Sequence, residues 1–429
     1  MKSIVCPRVD WSMLVRSGDR VACSHMTSEP VALLQSLAES GAHDGRFNLF
    51  LGVPFSFAAG GFPLGTTFTT FGGMGSAGRL ARSHTSHLSV SHYSRSADGF
   101  VLGTEAVDVA LVSLARAPDG SLHLGAAHGY ALEAARRARC VVAEINALAP
   151  VVTGAPWPAE LEIALSVEVA YPLAEMTDSG ISEVERRIAA HVAPLVADGA
   201  CLQVGIGGLP SAILAGLSGH RGLGIHSGML TPALWQLVES GAIDNSRKAV
   251  DPGISIAGCV FGDAALYAAV HRNPQVGLRP PATTHAAPVI ARLERFTALN
   301  SALEVDLLGQ VNAESVMGRD GSPRHVGGVG GLNDFVRAAQ CAAQGISVIA
   351  LPSRQAAQDG QAARARIVPA LSGPATVASS DADVVATEHG VAHLRNATLD
   401  ERAHRLIAIA HPDDRAALLV AARRSGQIR

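Results

Sequence analysis

Aromatic side chains are scarce in this sequence, and it has no long run of one charge or of apolar residues. Phe, Trp and Tyr make up 4% of the 429 residues, whereas hydrophobic residues make up 48% and glycine occurs 44 times. This composition favours layered α/β packing, with close contacts between helices and strands, over an all-β sandwich. A chain of this length is expected to fold as two domains.

The missing features also exclude several classes of function. The net charge is −3 without a basic run, so the sequence gives no support for nucleic-acid binding. No stretch of about 18 uninterrupted apolar residues occurs, so we expect no membrane span. The apolar run near the N-terminus is too short for a signal peptide. Six cysteines without a Cys-x-x-Cys pair indicate buried thiols in a reducing compartment, so we expect a cytoplasmic protein.

A histidine group at His84, His87 and His92 raises the question of metal binding. No carboxylate or cysteine completes a recognised zinc spacing around these three side chains. The sequence therefore predicts no metal site.

Two segments of the chain repeat one pattern. Residues 18–37 and 198–217 each read as a strand, a turn rich in small residues, a proline and an amphipathic helix. Pro30 and Pro210 suit a first helical turn, because the N–H that proline lacks would have no partner there. The repeat predicts two related α/β domains, and chance similarity of two strand–helix units is the alternative.

Strand-like and helix-like segments alternate through both halves. Apolar runs bounded by turn residues predict strands at Val107–Leu114, Cys140–Ile145, Ser347–Leu351 and Val384–Ala386. Periodic segments predict helices over 130–139, 182–195 and 335–343. Ser182 and Glu185 have the spacing of a capping box. The alternation indicates βαβ units and mostly parallel sheets flanked by helices, and we place the two domains at residues 1–180 and 181–429.

The first segment that could carry chemistry is a glycine turn followed by a histidine motif. The turn is Gly205-Ile206-Gly207-Gly208-Leu209, and the motif is Gly224-Ile225-His226-Ser227-Gly228-Met229. A glycine turn between a strand and a helix lets the backbone approach a phosphate, whose charge the helix dipole favours. A tight connection that binds nothing is the alternative.

Three later segments are polar or rich in glycine, namely Asn300–Glu314, Gly327–Phe335 and Thr387–Ala392. For the first, a buried hydrogen-bond network is the alternative to catalysis. In the second, glycine allows backbone N–H groups to crowd a reacting carbonyl, and one such donor stabilises a transition state by roughly 3–4 kcal/mol. In the third, Glu388 is a candidate general base, and a structural role such as helix capping is the alternative.

Together these motifs resemble the acetyl-CoA hydrolase/transferase family, which includes acetate and 4-hydroxybutyrate CoA-transferases. The resemblance covers nearly the whole chain and is strongest from about residue 185 to residue 415. It implies an α/β fold with two related CoA-transferase-type (NagB/RpiA-like) domains. It also implies coenzyme A or an acyl-CoA as substrate, a small acceptor, and a homo-oligomer.

The resemblance also assigns site residues. It places the turn at 205–209, His226, Gly328 and Gly330 near CoA, and it makes Gly331 the matching position for an oxyanion-hole N–H. Glu388 matches an active-site glutamate of the family.

Two positions depart from the family pattern. The family motif usually reads Gly-Ile-His-Ser-Glu-Met, and its glutamate attacks the acyl-CoA carbonyl, whereas this chain has Gly228 at that position. An asparagine that lies beside the glutamate in relatives aligns with His285. Histidine titrates near neutrality and can serve as a base, although a lone histidine more often packs.

These departures lead to three functional hypotheses. In the first, the enzyme transfers the acyl group of an acyl-CoA directly to water or another acceptor, without a glutamyl-CoA intermediate. Gly331 would then stabilise the oxyanion, and His285 or Glu388 would activate the nucleophile. The alternatives are a conventional CoA-transferase that uses another glutamate and a catalytically silent CoA-binding protein.

Overall fold

The computed structural model describes residues 8–55, 61–177, 180–318, 321–355 and 363–428. Residues 1–7, to which the expectation about a signal peptide applies, lie outside these ranges. None of the helices within the described ranges combines the length and the hydrophobicity that a membrane span requires.

Helices and strands alternate through the described residues, as the sequence predicts. The strands are β1 (Arg20–Cys23), β2 (Asn48–Gly52), β3 (Thr67–Thr70), β4 (Ser86–Leu88), β5 (Val109–Arg116), β6 (Leu122–His123), β7 (Cys140–Asn146), β8 (Leu165–Val169), β9 (Cys201–Val204), β10 (Gly224–Leu230), β11 (Ser255–Val260), β12 (Val276–Leu278), β13 (Phe296–Ser301), β14 (Glu304–Asp306), β15 (Val311–Asn312), β16 (Ser315–Met317), β17 (Pro323–His325), β18 (Ile346–Ala350), β19 (Arg354–Gln355), β20 (Arg364–Ala365), β21 (Ile367–Val368), β22 (Val384–Thr387) and β23 (Gly390–His393).

The helices are α1 (Trp11–Leu14), α2 (Val31–Ser40), α3 (Ala77–Ser83), α4 (Asp98–Leu102), α5 (Ala131–Arg137), α6 (Glu183–Val192), α7 (Gly208–Ala215), α8 (Pro232–Glu239), α9 (Ala264–Val270), α10 (Pro281–Thr284), α11 (Ala287–Ile290), α12 (Leu332–Cys341), α13 (Leu399–Ile409) and α14 (Pro412–Arg424). Short 3₁₀ helices lie at Met26–Ser28, Ala42–Gly45, Tyr93–Arg95 and Ala193–Leu195.

The chain forms two compact units. The first consists of Met1–Met176, Leu230–Pro232 and Ile256–Thr284, and the second of Thr177–Met229, Ala233–Ser255 and His285–Arg429. The domain division between residues 180 and 181 stays a prediction.

The main sheet of the first unit has the order β4-β3-β2-β1-β5-β7-β8, and all neighbours in this order are parallel. The short strand β6 pairs with β5 in the antiparallel direction. Strand β5 reads Val-Ala-Leu-Val-Ser-Leu-Ala-Arg, and all of its residues except the last are buried. Such a continuous apolar run is typical of a parallel strand that is covered on both faces.

In the second unit, parallel strands follow the order β10-β9-β13-β18-β22, and β23 adds an antiparallel edge. The first unit has the equivalent order β2-β1-β5-β7-β8. In both orders the opening strand of the sequence repeat lies inside the sheet, with the next strand on one side and a later strand on the other. The prediction of an α/β fold with mostly parallel sheets is thus confirmed.

Local signals in the sequence correspond to the structure at several points. Ser182 Oγ accepts a hydrogen bond from the N–H of Glu185 at 3.2 Å, and the Glu185 carboxylate accepts one from the N–H of Ser182 at 2.8 Å, which confirms the capping box. Pro30 is the N-cap of α2, and Pro210 lies in the first turn of α7. The helix predicted over 335–343 starts earlier, at Leu332, and Gly331 is its N-cap.

The cysteines in the described ranges are free thiols. Cys23, Cys201 and Cys259 are buried and Cys140 is half-buried, as expected for thiols in a packed interior. The expectation is wrong for Cys341, which is exposed near the end of α12.

A buried histidine follows β1 in the first unit. The His25 ring is almost fully enclosed, its Nδ1 accepts a hydrogen bond from the N–H of Val53 at 3.3 Å, and its Nε2 lies 3.1 Å from the Tyr93 hydroxyl. The ring centroid lies 4.6 Å from that of Tyr130. Because Nδ1 accepts, the proton of the neutral ring is on Nε2, which donates to Tyr93.

Acidification is expected to destabilise the protein through His25. Burial lowers the pKa of His25 to about 3 from an ordinary value of 6.5. Between these values the unfolded chain binds a proton that the folded chain excludes, so stability that is present above pH 6.5 is lost as the pH falls toward 3. We expect the thermal midpoint to fall between about pH 7 and pH 5, and the variant His25→Gln to show a shallower fall.

The exposed histidine His404 on α13 provides a control. His404→Gln is expected to keep the slope of the wild type. An equal slope in His25→Gln and the wild type would contradict the assignment.

Candidate active site

The candidate site lies at the carboxyl ends of parallel strands in the second unit. Strand β9 has β10 on one side and β13 on the other, so the strand order reverses there, and ligands of open α/β sheets bind at such points. Gly205 follows β9 directly, and its N–H donates to the carbonyl of Leu299 on β13 at 2.9 Å. A Cβ at Gly205 would lie 3.5 Å from Asn300 Oδ1, so the glycine turn and the end of β13 are close neighbours.

The glycine turn leads into α7. Gly207 is the N-cap of this helix with φ +121°, a backbone conformation that favours glycine, and no side chain caps the helix. The first N–H groups of α7 therefore have no partner within the helix, which suits an anionic ligand. Ile206, at the tip of the turn, is 46% exposed. The assignment of Gly205, Ile206, Gly207, Gly208 and Leu209 to CoA binding stays a prediction.

The imidazole of His285 lies beside Gly228. A Cβ at Gly228 would be 3.1 Å from both Cε1 and Nε2 of His285. These distances are short for carbon contacts, so any side chain at position 228 would compete with this ring for space. Gly228 and His285, the two positions at which the sequence predicts departures from the family pattern, therefore lie close together although they are far apart in the sequence.

The same ring packs against Gly331. A Cβ there would lie 2.4 Å from Cδ2 and 2.5 Å from Nε2 of His285, so this ring position requires glycine at 331. Gly331 is the N-cap of α12, and the ring of Phe335 in the first turn of that helix packs against the His285 ring in a tilted arrangement, with ring centroids 4.4 Å apart. Phe335 is itself held in the buried cluster that joins α11 and α12 to β13.

His285 is held in its neutral form. It is 4% exposed, and burial lowers its pKa to about 3, with the nearby charge of His226 acting in the same direction. His226 and Gly228 are two residues apart on β10, so their side-chain positions point to the same face of the strand. His226 is fully buried, and its assignment to the neighbourhood of CoA stays a prediction.

The glycine loop before α12 supplies the other predicted residues. Gly330 has φ +53°, and a Cβ at this position would meet one carbonyl oxygen, that of Gly328, at 3.8 Å. Gly328 and Gly330 are half-buried. Their assignment to CoA binding, and that of Gly331 to an oxyanion hole, stay predictions.

Glu388 follows β22 and belongs to a different set of contacts. Its carboxylate accepts hydrogen bonds from the N–H of Ser353 at 2.9 Å and from Ser353 Oγ at 2.5 Å. Burial acts to raise the pKa of Glu388, but the Ser353 hydrogen bonds and the charge of His389 outweigh it and hold that pKa below its ordinary value. Arg187 donates to the Glu388 backbone carbonyl at 3.2 Å.

The structure thus joins three of the four predicted catalytic positions. The imidazole of His285 lies beside both Gly228 and Gly331. Glu388 is instead hydrogen-bonded to Ser353. Two residues at the site carried no recognisable signal for these roles in the sequence, namely Phe335 and Ser353. Both act through contacts between distant parts of the chain, which a local pattern does not report.

The acidic residues of the segment Asn300–Glu314 form internal hydrogen bonds. Glu304 accepts from Asn312 Nδ2 at 2.9 Å, and Asp306 accepts from the N–H and the side-chain amide of Gln310 at 2.8 and 2.7 Å. These bonds correspond to the structural alternative that the sequence left open for this segment.

The histidine group in the first unit makes ordinary polar contacts. His84 Nδ1 lies 2.9 Å from Ser83 Oγ, and its Nε2 lies 3.2 Å from the carbonyl oxygen of Phe62. Within the described ranges, no group of three or more His, Cys, Asp or Glu side chains is arranged to hold a metal ion.

Comparisons with known proteins show which proteins this chain resembles. A family model described as the acetyl-CoA hydrolase/transferase C-terminal domain matches residues 262–422. The chain is 37% identical to the 4-hydroxybutyrate coenzyme A transferase of Clostridium kluyveri over 317 residues, which cover 73% of this chain and 72% of that protein. The solved 4-hydroxybutyrate CoA-transferase of Porphyromonas gingivalis is 32% identical with a TM-score of 0.79, covering 96% of this chain and 95% of that one. RipA from Yersinia pestis is 28% identical with a TM-score of 0.86, covering 96% of each chain.

The packing at Gly331 gives a direct prediction. In Gly331→Ala the new methyl group would overlap the His285 ring, so we expect the free energy of unfolding to fall by about 1–3 kcal/mol. The matched control is Gly219→Ala, because a Cβ at Gly219 would meet no heavy atom within 4 Å. Chemical denaturation measures both variants, and equal stabilities would contradict the described packing.

Proposed function

The chain belongs to the acetyl-CoA hydrolase/transferase family, and we propose that it transfers the acyl group of an acyl-CoA directly to water or another acceptor. It is an enzyme of the acyl-CoA hydrolase/transferase class, and its relatives include proteins named CoA-transferase and acetyl-CoA hydrolase. The observation that carries the proposal is the position of the His285 ring, 3.1 Å from where a Cβ at Gly228 would lie, at the residue that aligns with the glutamate of the family motif.

The chemistry of the missing carboxylate explains why direct transfer is proposed. A glutamate nucleophile forms an acyl anhydride that CoA thiolate then opens to a glutamyl thioester. Glycine has no atom that can form either species. The acceptor must therefore attack the thioester carbon itself, the C–S bond breaks, CoA leaves as the thiolate, and the proton of the acceptor passes to a base.

Two groups remain candidates for activating the acceptor. The ring of His285 lies 3.1 Å from the place that a Cβ at Gly228 would occupy, which supports a position for this ring near the reacting centre. Glu388 is the surviving carboxylate of the family pattern, but both of its oxygens accept hydrogen bonds from Ser353. We place CoA at the glycine turn 205–209 and the loop 327–331, because both end at helix N-termini that suit phosphate and oxyanion charge.

Release of free thiol from short-chain acyl-CoAs tests the proposal. We expect the wild type to release thiol without any added carboxylic acid, and His285→Ala to lose most of this activity. His404→Ala, at an exposed position on α13, is the control and should keep full activity. Formation of acetyl-CoA from another acyl-CoA and acetate, with no free thiol, would instead identify a conventional CoA-transferase. Tight CoA binding with no turnover of any thioester would identify a silent binding protein.

The contact at Gly228 predicts the outcome of restoring the family residues. Gly228→Glu alone is expected to exchange less CoA between acids than the double variant described next, because its Cβ would lie 3.1 Å from the His285 ring, which must shift to admit the side chain. The double variant Gly228→Glu/His285→Asn supplies the carboxylate and removes the ring, so we expect it to exchange CoA between an acyl-CoA and acetate. Chromatography of the acyl-CoAs measures the exchange.

The control for this experiment is Gly219→Glu/His285→Asn, which adds a glutamate at a position with no neighbour within 4 Å. It should give no exchange. Equal exchange by Gly228→Glu alone and by the double variant would show that the ring does not compete with a side chain at 228.

A further inference from the structure

We propose that His285 donates a hydrogen bond from Nε2 to the thioester oxygen, next to the backbone N–H of Gly331, and that it does not take the proton of the acceptor. This role rests on the proposed function, since an oxyanion donor matters only if a thioester is opened at this site. His285 would then stabilise the oxyanion, and water or Glu388 would take the proton of the acceptor.

The Nε2 atom of His285 lies close to both Gly228 and Gly331. Nε2 lies 3.1 Å from the position of a Cβ at Gly228 and 2.5 Å from that at Gly331. The tip of the imidazole therefore lies between Gly228 on β10 and the glycine loop that leads into α12. A donor at this tip and the N–H of Gly331 would reach the same small volume.

The surroundings favour a neutral ring that stays in place. Phe335 covers one face, with ring centroids 4.4 Å apart and an interplanar angle of 40°. His226 on β10 is a titratable neighbour of the ring, and its electrostatic effect acts together with burial against the charged form of His285. A neutral imidazole carries one N–H and can donate it, whereas a base is most effective when its pKa lies near the working pH. Burial lowers the pKa of His285 to about 3, far from neutrality.

The dipole of helix α12 also favours negative charge on the thioester oxygen. Gly331 caps α12, a helix of 10 residues, so its N–H lies at the positive end of the helix dipole. Negative charge that develops on the thioester oxygen would meet two donors there. Donors held in a buried position need no reorganisation during the reaction, which is why such sites contribute strongly to catalysis.

The proposed step balances as follows. The acceptor oxygen attacks the thioester carbon, and the carbonyl electron pair moves to the oxygen, which accepts hydrogen bonds from His285 Nε2 and the N–H of Gly331. The pair then returns, the C–S bond breaks, and CoA leaves as the thiolate. The acceptor proton passes to water or to Glu388, and His285 is unchanged at the end.

Comparison of His285→Asn with His285→Ala tests this role by free-thiol release. An asparagine amide can donate a hydrogen bond but cannot take a proton at neutral pH, and alanine can do neither. We expect His285→Asn to keep kcat/KM within about tenfold of the wild type and His285→Ala to lose about 100- to 1,000-fold. The pH profile of His285→Asn should follow that of the wild type between about pH 5 and pH 8, because no proton transfer to residue 285 is removed.

Three outcomes would overturn the role. An equal loss in His285→Asn and His285→Ala, with thermal midpoints like that of the wild type, would identify His285 as a base. Full activity in His285→Ala would remove it from the mechanism. Wild-type protein that releases no thiol would refute transfer to water, the form of the proposed function that this assay measures, which separates that failure from the other two.

Discussion

The steric exclusion between the ring of His285 and a side chain at position 228 or 331 is the constraint on which the account of this site depends. With His285 present, position 331 has no room for a Cβ, and position 228 has room for one only if the ring moves. Packed interiors tolerate such overlaps poorly, since one extra methylene displaces its neighbours. A side chain at position 331 therefore requires the ring to move, and one at position 228 requires it to shift by a few tenths of an ångström.

The fold brings these residues together through the order of its strands. Strands β10, β9 and β13 are adjacent and parallel, so Gly228, Gly205 and Asn300 come to one edge of the sheet. A buried pair of amides fixes β9 against β13, because Gln203 Nε2 donates to Asn300 Oδ1 at 3.2 Å and Asn300 Nδ2 donates to Gln203 Oε1 at 2.9 Å. Each such bond contributes about 1 kcal/mol. Together they hold the glycine turn and the end of β13 in register at the site.

The sequence predicts the features that local rules control. Alternating apolar runs and periodic segments identify the parallel α/β fold, and the spacing of Ser182 and Glu185 identifies the start of α6. The contact of His285 with Gly331 and the hydrogen bonds of Ser353 to Glu388 join residues far apart in the chain, so no local pattern predicts them. The resemblance to a family singled out Gly228, His285 and Gly331 as site residues, and the packing places all three close together.

The most direct measurement on the central claim is a search for a glutamyl-CoA intermediate. The protein would be mixed with an acyl-CoA that it turns over, treated with borohydride, which reduces a glutamyl thioester to an alcohol, and mapped by mass spectrometry. If the acyl group is transferred directly, every glutamate remains unmodified while thiol is released. A reduced glutamate that forms only in the presence of acyl-CoA would contradict direct transfer. It would identify the glutamate that acts as the nucleophile in place of residue 228.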